Sequence, residues 1–329
     1  ADALALVAAG PSAGASSSSL PAPIMLLEGH GAAVRGVAYS HDGASLASCS
    51  DDKTVLLWRQ QGEEIGSYAQ LAGHKGAVVR VGWGAGSERV LSASADKTAR
   101  AWDAETGLQV KKMAEHGSFV NDVSAARRGP PLVATVADDG TCKVWDLRKK
   151  RSAQTLEGGS ALTAVAFGDA GDSVFTGGID NQIRMWDLRR PVLEAATTLK
   201  GHKDTVTGLS VSPDGNTLLS NSMDNSLCAW DVRPFVAGGE RFIKALAGHL
   251  HTFEQDLLRC GWSSDNRRVA AGSGDGTACV WDLHTAELQY KLPGHKGSVA
   301  EVVFHPTEPV IASAGADGAI YLGEISTDE

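Results

Sequence analysis

The sequence predicts an all-β protein, a seven-bladed β-propeller whose last blade is closed by the N-terminal strand. Three observations carry this reading. Seven aspartates, Asp52, Asp96, Asp139, Asp180, Asp224, Asp275 and Asp317, recur along the 329 residues at steps of 41 to 44, with one step of 51. Six residues after each stands a tryptophan (Trp58, Trp102, Trp145, Trp186, Trp230, Trp281) or, in the seventh case, Gly323. A period in the low forties carrying Gly-His and Trp-Asp pairs marks the four-stranded blade of a WD-repeat propeller. Finally, the last repeat runs out after its third strand, while Ile24-Met25-Leu26-Leu27 precede the first Gly-His pair as a strand without a blade of its own.

Gly73 to Ala114 serves as the type repeat. Val78 to Trp83 is a β-rich run, strand a. Val90 to Ser94 is strand b, ended by the turn Ala95-Asp96-Lys97, and Thr98 to Trp102 is strand c. Asp103 to Gly107 is turn-rich, and Leu108 to Met113 is strand d. Short β-branched runs between Gly, Asp and Ser clusters are the signal of strands joined by hairpins. One such sheet cannot bury both faces, but seven packed around an axis cover one another. Residues 24–27 then supply the fourth strand of blade seven, which leaves no open edge. The propeller is expected to span 24–325. Residues 1–23, rich in Ala, Ser, Pro and Gly and without Lys or Arg, read as a disordered tail, and 326–329 as a short C-terminal one.

Composition narrows the function classes. A net charge of −9 argues against a generic nucleic-acid binder, which is usually basic. No apolar run approaches a membrane span, and Ala3–Ala9 lacks the basic leader of a signal peptide. Five cysteines in no CxxC spacing indicate neither a disulfide framework nor a zinc site. Cys142, Cys228 and Cys279 fall on strands expected to be buried, and free thiols suit a reducing compartment. His249 and His251 have no nearby Cys to complete a metal site. No phosphate-binding or dinucleotide-binding loop is present, so the expectation is no cofactor, no metal and no small-molecule substrate.

A second pattern runs through the repeats. His30, Ser48, Asp52 and Trp58 return as His74, Ser92, Asp96, Trp102, as His116, Thr135, Asp139, Trp145, and as His202, Ser220, Asp224, Trp230. Blade four has Gly159 in place of the His, blade six Ala271 in place of the Ser, and blade seven Gly323 in place of the Trp. Ser, His and Asp together invite a catalytic triad, but a nucleophile site needs one constellation in one pocket, and this set recurs blade after blade. The expected role is a hydrogen-bonded frame, indole to hydroxyl to imidazole to carboxylate, that satisfies each buried polar group. The repeat histidines, His249 and His295 included, are assigned to this frame.

Function is therefore sought in the loops. Up-and-down strand order places the a–b and c–d loops on one face. There, blade three offers Arg127 and Arg128, then Arg148, Lys149, Lys150 and Arg151; blade four adds Arg189 and Arg190, and blade five Arg233. The expectation is a positive arc for phosphate or an acidic partner segment, weighed against an ordinary solvated face. The long step between Asp224 and Asp275 places extra residues after Trp230 and after His249, with Phe235 and Phe253 in loop contexts. These aromatics either anchor a partner or tuck onto the blade edge.

The loops also carry a specific resemblance. The segments APIMLLEGH (22–30), SFVNDVSAARRGPPLV (118–133), GGIDNQIRMWDLR (177–189), WDVRPF (230–235), LLRCGWS (257–263) and YKLPGHKGSVAEVVFHPTEPVI (290–311) are similar to the family of forty-kilodalton WD-repeat subunits of the U-five small nuclear ribonucleoprotein. The last blade, ending YLGEI, shares it, and the resemblance covers roughly residues 21–325. It implies a nuclear, non-catalytic subunit acting in pre-mRNA splicing. Its partners would be the large central scaffold protein of the U-five particle and other spliceosomal proteins, with RNA contact indirect or peripheral. The alternative is a substrate receptor of a cullin-RING ubiquitin ligase, since Trp145 to Arg148, Trp186 to Arg189 and Trp230 to Arg233 resemble the WDxR pattern of such receptors. A heterotrimeric G-protein β subunit would need an N-terminal coiled coil, which Pro11, Pro21 and Pro23 rule out.

Overall fold

The computed structural model describes residues 18–61, 64–190, 194–236, 239–252 and 256–325. These form seven four-stranded antiparallel sheets. From inner strand a to outer strand d, blade one is Val34–Tyr39, Leu46–Ser50, Thr54–Gln61 and Glu64–Ala72, and blade two Val78–Trp83, Arg89–Ser94, Ala99–Asp103 and Gln109–Met113. Blade three is Val120–Ala125, Leu132–Ala137, Thr141–Asp146 and Ser152–Glu157; blade four is Leu162–Phe167, Ser173–Gly178, Gln182–Asp187 and Ala195–Lys200. Blade five is Val206–Val211, Thr217–Ser222, Ser226–Asp231 and Phe242–Leu246; blade six is Cys260–Trp262, Arg268–Gly272, Thr277–Asp282 and Leu288–Pro293. Blade seven takes Val299–Phe304, Val310–Gly315 and Ile320–Glu324 from the C-terminus and its outer strand, Ile24–Leu27, from the N-terminus. Ile24 pairs with Gly323 and Leu27 with Ile320 in that closure.

The core lies between blades, because each sheet buries both faces against its neighbours. At the seam of blades seven and one, for example, Leu27, Val34, Val37, Leu46 and Trp58 pack on Ala312, Ala314, Ile320 and Leu322. All five cysteines are buried and unpaired, and burial pushes the Cys228 thiol up to about 11 and Cys260 to about 12. Within the stretch assigned by composition to the tail, Ser18 bonds Glu324 and Ser19 donates its backbone N–H to Glu308 at 2.9 Å. Leu20 packs against the seam of blades seven and one. Strand a of blade six has three residues where the others have six. Ahead of that strand, the described Asp256 lies on the face of the d–a loops. There it bonds Arg35 of blade one at 2.6 Å and accepts from Ser298 of blade seven at 2.5 Å.

Candidate partner-binding surface

The repeated polar residues meet as hydrogen-bonded tetrads. In blade one, Trp58 Nε1 donates to Ser48 Oγ at 2.8 Å, His30 Nε2 lies 2.8 Å from the same oxygen, and His30 Nδ1 lies 2.8 Å from Asp52 Oδ2. The corresponding distances are 2.9, 2.7 and 2.9 Å around His74. They are 2.8, 2.8 and 3.0 Å around His116, and 2.8, 2.6 and 3.2 Å around His202. With the indole N–H donated to the hydroxyl oxygen, the hydroxyl proton is free to go to Nε2 while Nδ1–H goes to the carboxylate. Burial favours the neutral imidazole this arrangement needs at His74, His116 and His202, holding all three below the ordinary histidine range. Burial alone would raise the Asp96 carboxyl, but hydrogen bonds from Thr98, the Lys75 N–H and His74 outweigh it and bring it down to about 2.

The incomplete blades depart in different ways. Blade seven keeps His295 at 3.0 Å from Asp317 and 2.9 Å from Ser313. Blade four keeps only the Trp186 to Thr176 bond, and its Asp180 turns to Arg184. Blade six corrects the assignment of every repeat histidine to the frame. With Ala271 offering no hydroxyl, Trp281 Nε1 donates to Ala247 O at 2.9 Å, and His249 Nε2 turns away to Asn221 of blade five at 2.8 Å.

The proposed arc is less positive than its sequence suggests. Arg148 Nε and Nη2 each lie 2.9 Å from a carboxylate oxygen of Asp146, and Arg189 repeats this on Asp187 at 2.9 and 3.1 Å. Arg233 Nε bonds Asp231 at 3.0 Å. Each Trp-Asp-x-Arg segment is thus a bidentate clamp on the aspartate two residues back. Arg190 also leans on Asp187, at 3.6 Å, and Arg128 on Asp169, at 3.3 Å. Among the described residues, Lys149, Lys150 and Arg151 are the members of the arc whose side chains have no ion pair. Arg127 does not join the arc: its guanidinium reaches across the channel mouth to Val211 O at 2.9 Å and Ser212 O at 3.0 Å on blade five.

Phe235 is 93% exposed, so it does not tuck onto the blade edge. It stands at the rim of a groove of about 500 Å³ between blades four and five, shared with Arg189, Arg190, Arg241, Asp172 and Asp214. The structure therefore brings Arg189, Arg190 and Phe235 together and separates them from Arg127. Phe253 lies outside the described residues.

One constellation escaped the sequence reading. Arg80, Asp122, Arg259 and Glu301 form a quartet across the central channel, buried except for the partly exposed Arg80. Arg80 contacts Asp122 at 3.1 Å and also pairs with Glu301, while Arg259 bonds Asp122 at 3.1 Å, from blade six across to blade three. Arg259 further donates to the carbonyls of Thr207 at 2.7 Å, Thr163 at 3.1 Å and Asn121 at 2.7 Å. Registering the inner strands by their partners in strand b puts Arg80, Asp122 and Glu301 at one equivalent position, shared with Gly36, Ala164 and Gly208. Arg259, one residue before the Cys260–Ala271 pair and bonded to Gly272, aligns with them. The small residues make room: a Cβ on Gly36 would lie 2.9 Å from the Glu301 carboxylate. That alignment is the signal by which the quartet could have been found. Among the described residues, no group of three or more His, Cys, Asp or Glu is placed to hold a metal.

The family model described as WD domain, G-beta repeat matches seven times, at 21–59, 66–103, 107–146, 150–187, 194–231, 240–282 and 286–322. The chain is 50% identical over 308 residues to the U5 small nuclear ribonucleoprotein 40 kDa protein of Pongo abelii, covering 94% of this chain and 85% of that one. It is 45% identical to the protein of that name from Dictyostelium discoideum, covering 94% and 86%. It is 41% identical to the pre-mRNA-splicing factor cwf17 of Schizosaccharomyces pombe, covering 94% and 89%. With seven matched blades and identity of this extent, the chain belongs to the WD-repeat family of U5 small nuclear ribonucleoprotein 40 kDa proteins.

Proposed function

We propose that this chain is a non-catalytic scaffold subunit of the U5 particle that acts in pre-mRNA splicing in the nucleus, by docking on the particle's large central scaffold protein. The observation that carries the reading is the 50% identity to a U5 40 kDa protein across 94% of the chain. Two features of the site support it. The Ser-His-Asp sets serve as repeated internal struts, which favours a frame over a reaction centre. The face of the a–b and c–d loops carries the unpaired Lys149, Lys150 and Arg151 together with exposed Phe235, a mixture of charge and aromatic anchor suited to a protein partner. The three Trp-Asp-x-Arg segments are accounted for by their internal clamps, so they lend the ligase reading no support of their own.

Affinity purification of the tagged chain from nuclear extract tests the proposal. Spliceosomal proteins and small nuclear RNA are the expected recovery, and recovery of a cullin adaptor without them would replace it with the ligase reading. Lys149→Glu with Lys150→Glu is expected to reduce the recovery while leaving the melting temperature unchanged, since neither side chain holds an internal partner. Undiminished recovery would move the docking surface off this arc.

A further inference from the structure

We propose that the mouth of the central channel, on the face of the a–b loops, is a docking site for one acidic side chain of a partner polypeptide, with Arg127 as its ligand. A cavity of about 450 Å³ opens there, walled by Tyr39, Trp262, Phe304, Pro213 and Pro306. Its floor is the Arg80–Glu301 pair of the quartet, whose opposite charges already satisfy each other.

Arg127 stands apart from that balance. Two of its five N–H groups are held by the carbonyls of Val211 and Ser212, which orient the guanidinium without neutralising it. Among the described residues no carboxylate lies within ion-pair distance of it, and the nearby Asp169 is engaged by Arg128 at 3.3 Å. The field of the uncompensated charge reaches blade one: burial first, and then the charge of Arg127, hold the His41 imidazole below its ordinary range. An arginine fixed by two carbonyls, with spare N–H groups facing a cavity, is preorganised for bidentate binding of a carboxylate.

The walls decide between anionic partners. Aromatic and proline side chains suit the apolar neighbours of an acidic residue in a peptide. A pocket of this volume admits one or two side chains, not a nucleic-acid helix. This site is distinct from the Lys149–Arg151 arc, and the inference does not depend on membership of the U5 particle.

Selection of a random-sequence peptide display library on the full chain is the test. The recovered peptides are expected to share an Asp or Glu at one position. Synthetic copies should lose about tenfold or more in affinity when that acid becomes Asn or Gln, or when the chain carries Arg127→Met. Should Arg127→Met lower the melting temperature, Arg127→Gln keeps a donor for one of the two carbonyls without the charge and gives the same reading. Peptides with no shared acid, or affinity indifferent to both substitutions, would overturn the proposal. So would a single-stranded RNA oligonucleotide whose binding Arg127→Met abolishes while peptides are not recovered. Since the library contains no spliceosomal protein, its outcome is separate from that of the nuclear-extract purification.

Discussion

His249 Nε2 lies 2.8 Å from Asn221 Oδ1, so the histidine of blade six is fastened to blade five. Asn221 stands on the seam between the two blades, at a position filled elsewhere by residues such as Ala93, Val136 and Ala314. Its amide donates to Leu258 O at 3.1 Å, so one side chain ties the strand to both ends of the inserted segment. Asn221→Ala would leave the buried His249 imidazole without its partner and the Leu258 carbonyl with the Thr207 hydroxyl alone, at a cost of about 1–3 kcal/mol. Equilibrium denaturation of the variant checks this; an unchanged midpoint would mean that solvent replaces Asn221 freely.

Acid sensitivity follows from the same neighbourhood. Burial, followed by the charge of His251, brings His249 down to about 4, and burial brings His251 down to about 4 as well. An unfolded histidine titrates near 6.5. Between those values the unfolded chain binds more protons, so stability is full above about pH 6.5 and falls as the pH drops toward 4. His74, His116 and His202 are displaced in the same direction. The tetrad aspartates, with Asp96 down at about 2, add a further loss only below the ordinary carboxylate range. Denaturation midpoints measured across this window should fall steadily. His251→Gln should flatten the slope without lowering stability at neutral pH, because the His251 Nε2 atom has no hydrogen-bond partner to lose.

The quartet predicts strong coupling across the channel. Arg259→Met would leave Asp122 with Arg80 as its one charge partner and take the Arg259 donors from three carbonyls in a buried site, at a cost of about 3 kcal/mol. Adding Asp122→Asn removes the carboxylate that has lost one of its two arginines, so the double variant should be more stable than the sum of the two single losses predicts. A double-mutant cycle in denaturant measures this. Additive losses would show that the two groups do not depend on each other.

The parts of this architecture that were legible are those that repeat in sequence. Asp52 to Asp317 count the blades because one backbone unit recurs and its turn needs the same carboxylate each time. Asn221 was not legible as the partner of His249, because the Gly-His pair of blade six looks like the others and only packing turns its imidazole backward. Arg127 and Arg128 are neighbours in sequence, yet one spans the channel and the other leans on blade four, a difference of loop direction that composition does not encode. The clamps of Arg148, Arg189 and Arg233 were visible as a spacing, but their effect on the net charge of the arc appears only with side-chain geometry. The quartet was hidden by distance in the chain: Arg80 and Glu301 are adjacent only after the ring closes.

That closure depends on four residues. Leu27 is buried and packs with Val34, Trp58 and Leu322, whereas Ile24 and Leu26 face outward. Comparing a chain that begins at residue 24 with one that begins at residue 29 isolates the strand, since both lack the Ser18 and Ser19 contacts with Glu324 and Glu308. Losing it removes the buried Leu27, about 2 kcal/mol by area, and the ladder opposite Ile320–Gly323. The melting temperature of the shorter chain should fall by several degrees, and Leu27→Ser in the longer chain should reproduce the side-chain part. A second consequence separates strand closure from a general loss of packing. Without residues 24–27, strand Ile320–Glu324 becomes an open edge, a template for pairing with another copy. The shorter chain should therefore elute as concentration-dependent dimers on size exclusion, and addition of a peptide of sequence PIMLLEG should return it to the monomer. A shorter chain that stays monomeric and melts like the longer one would show that the ring is held by its interblade seams alone.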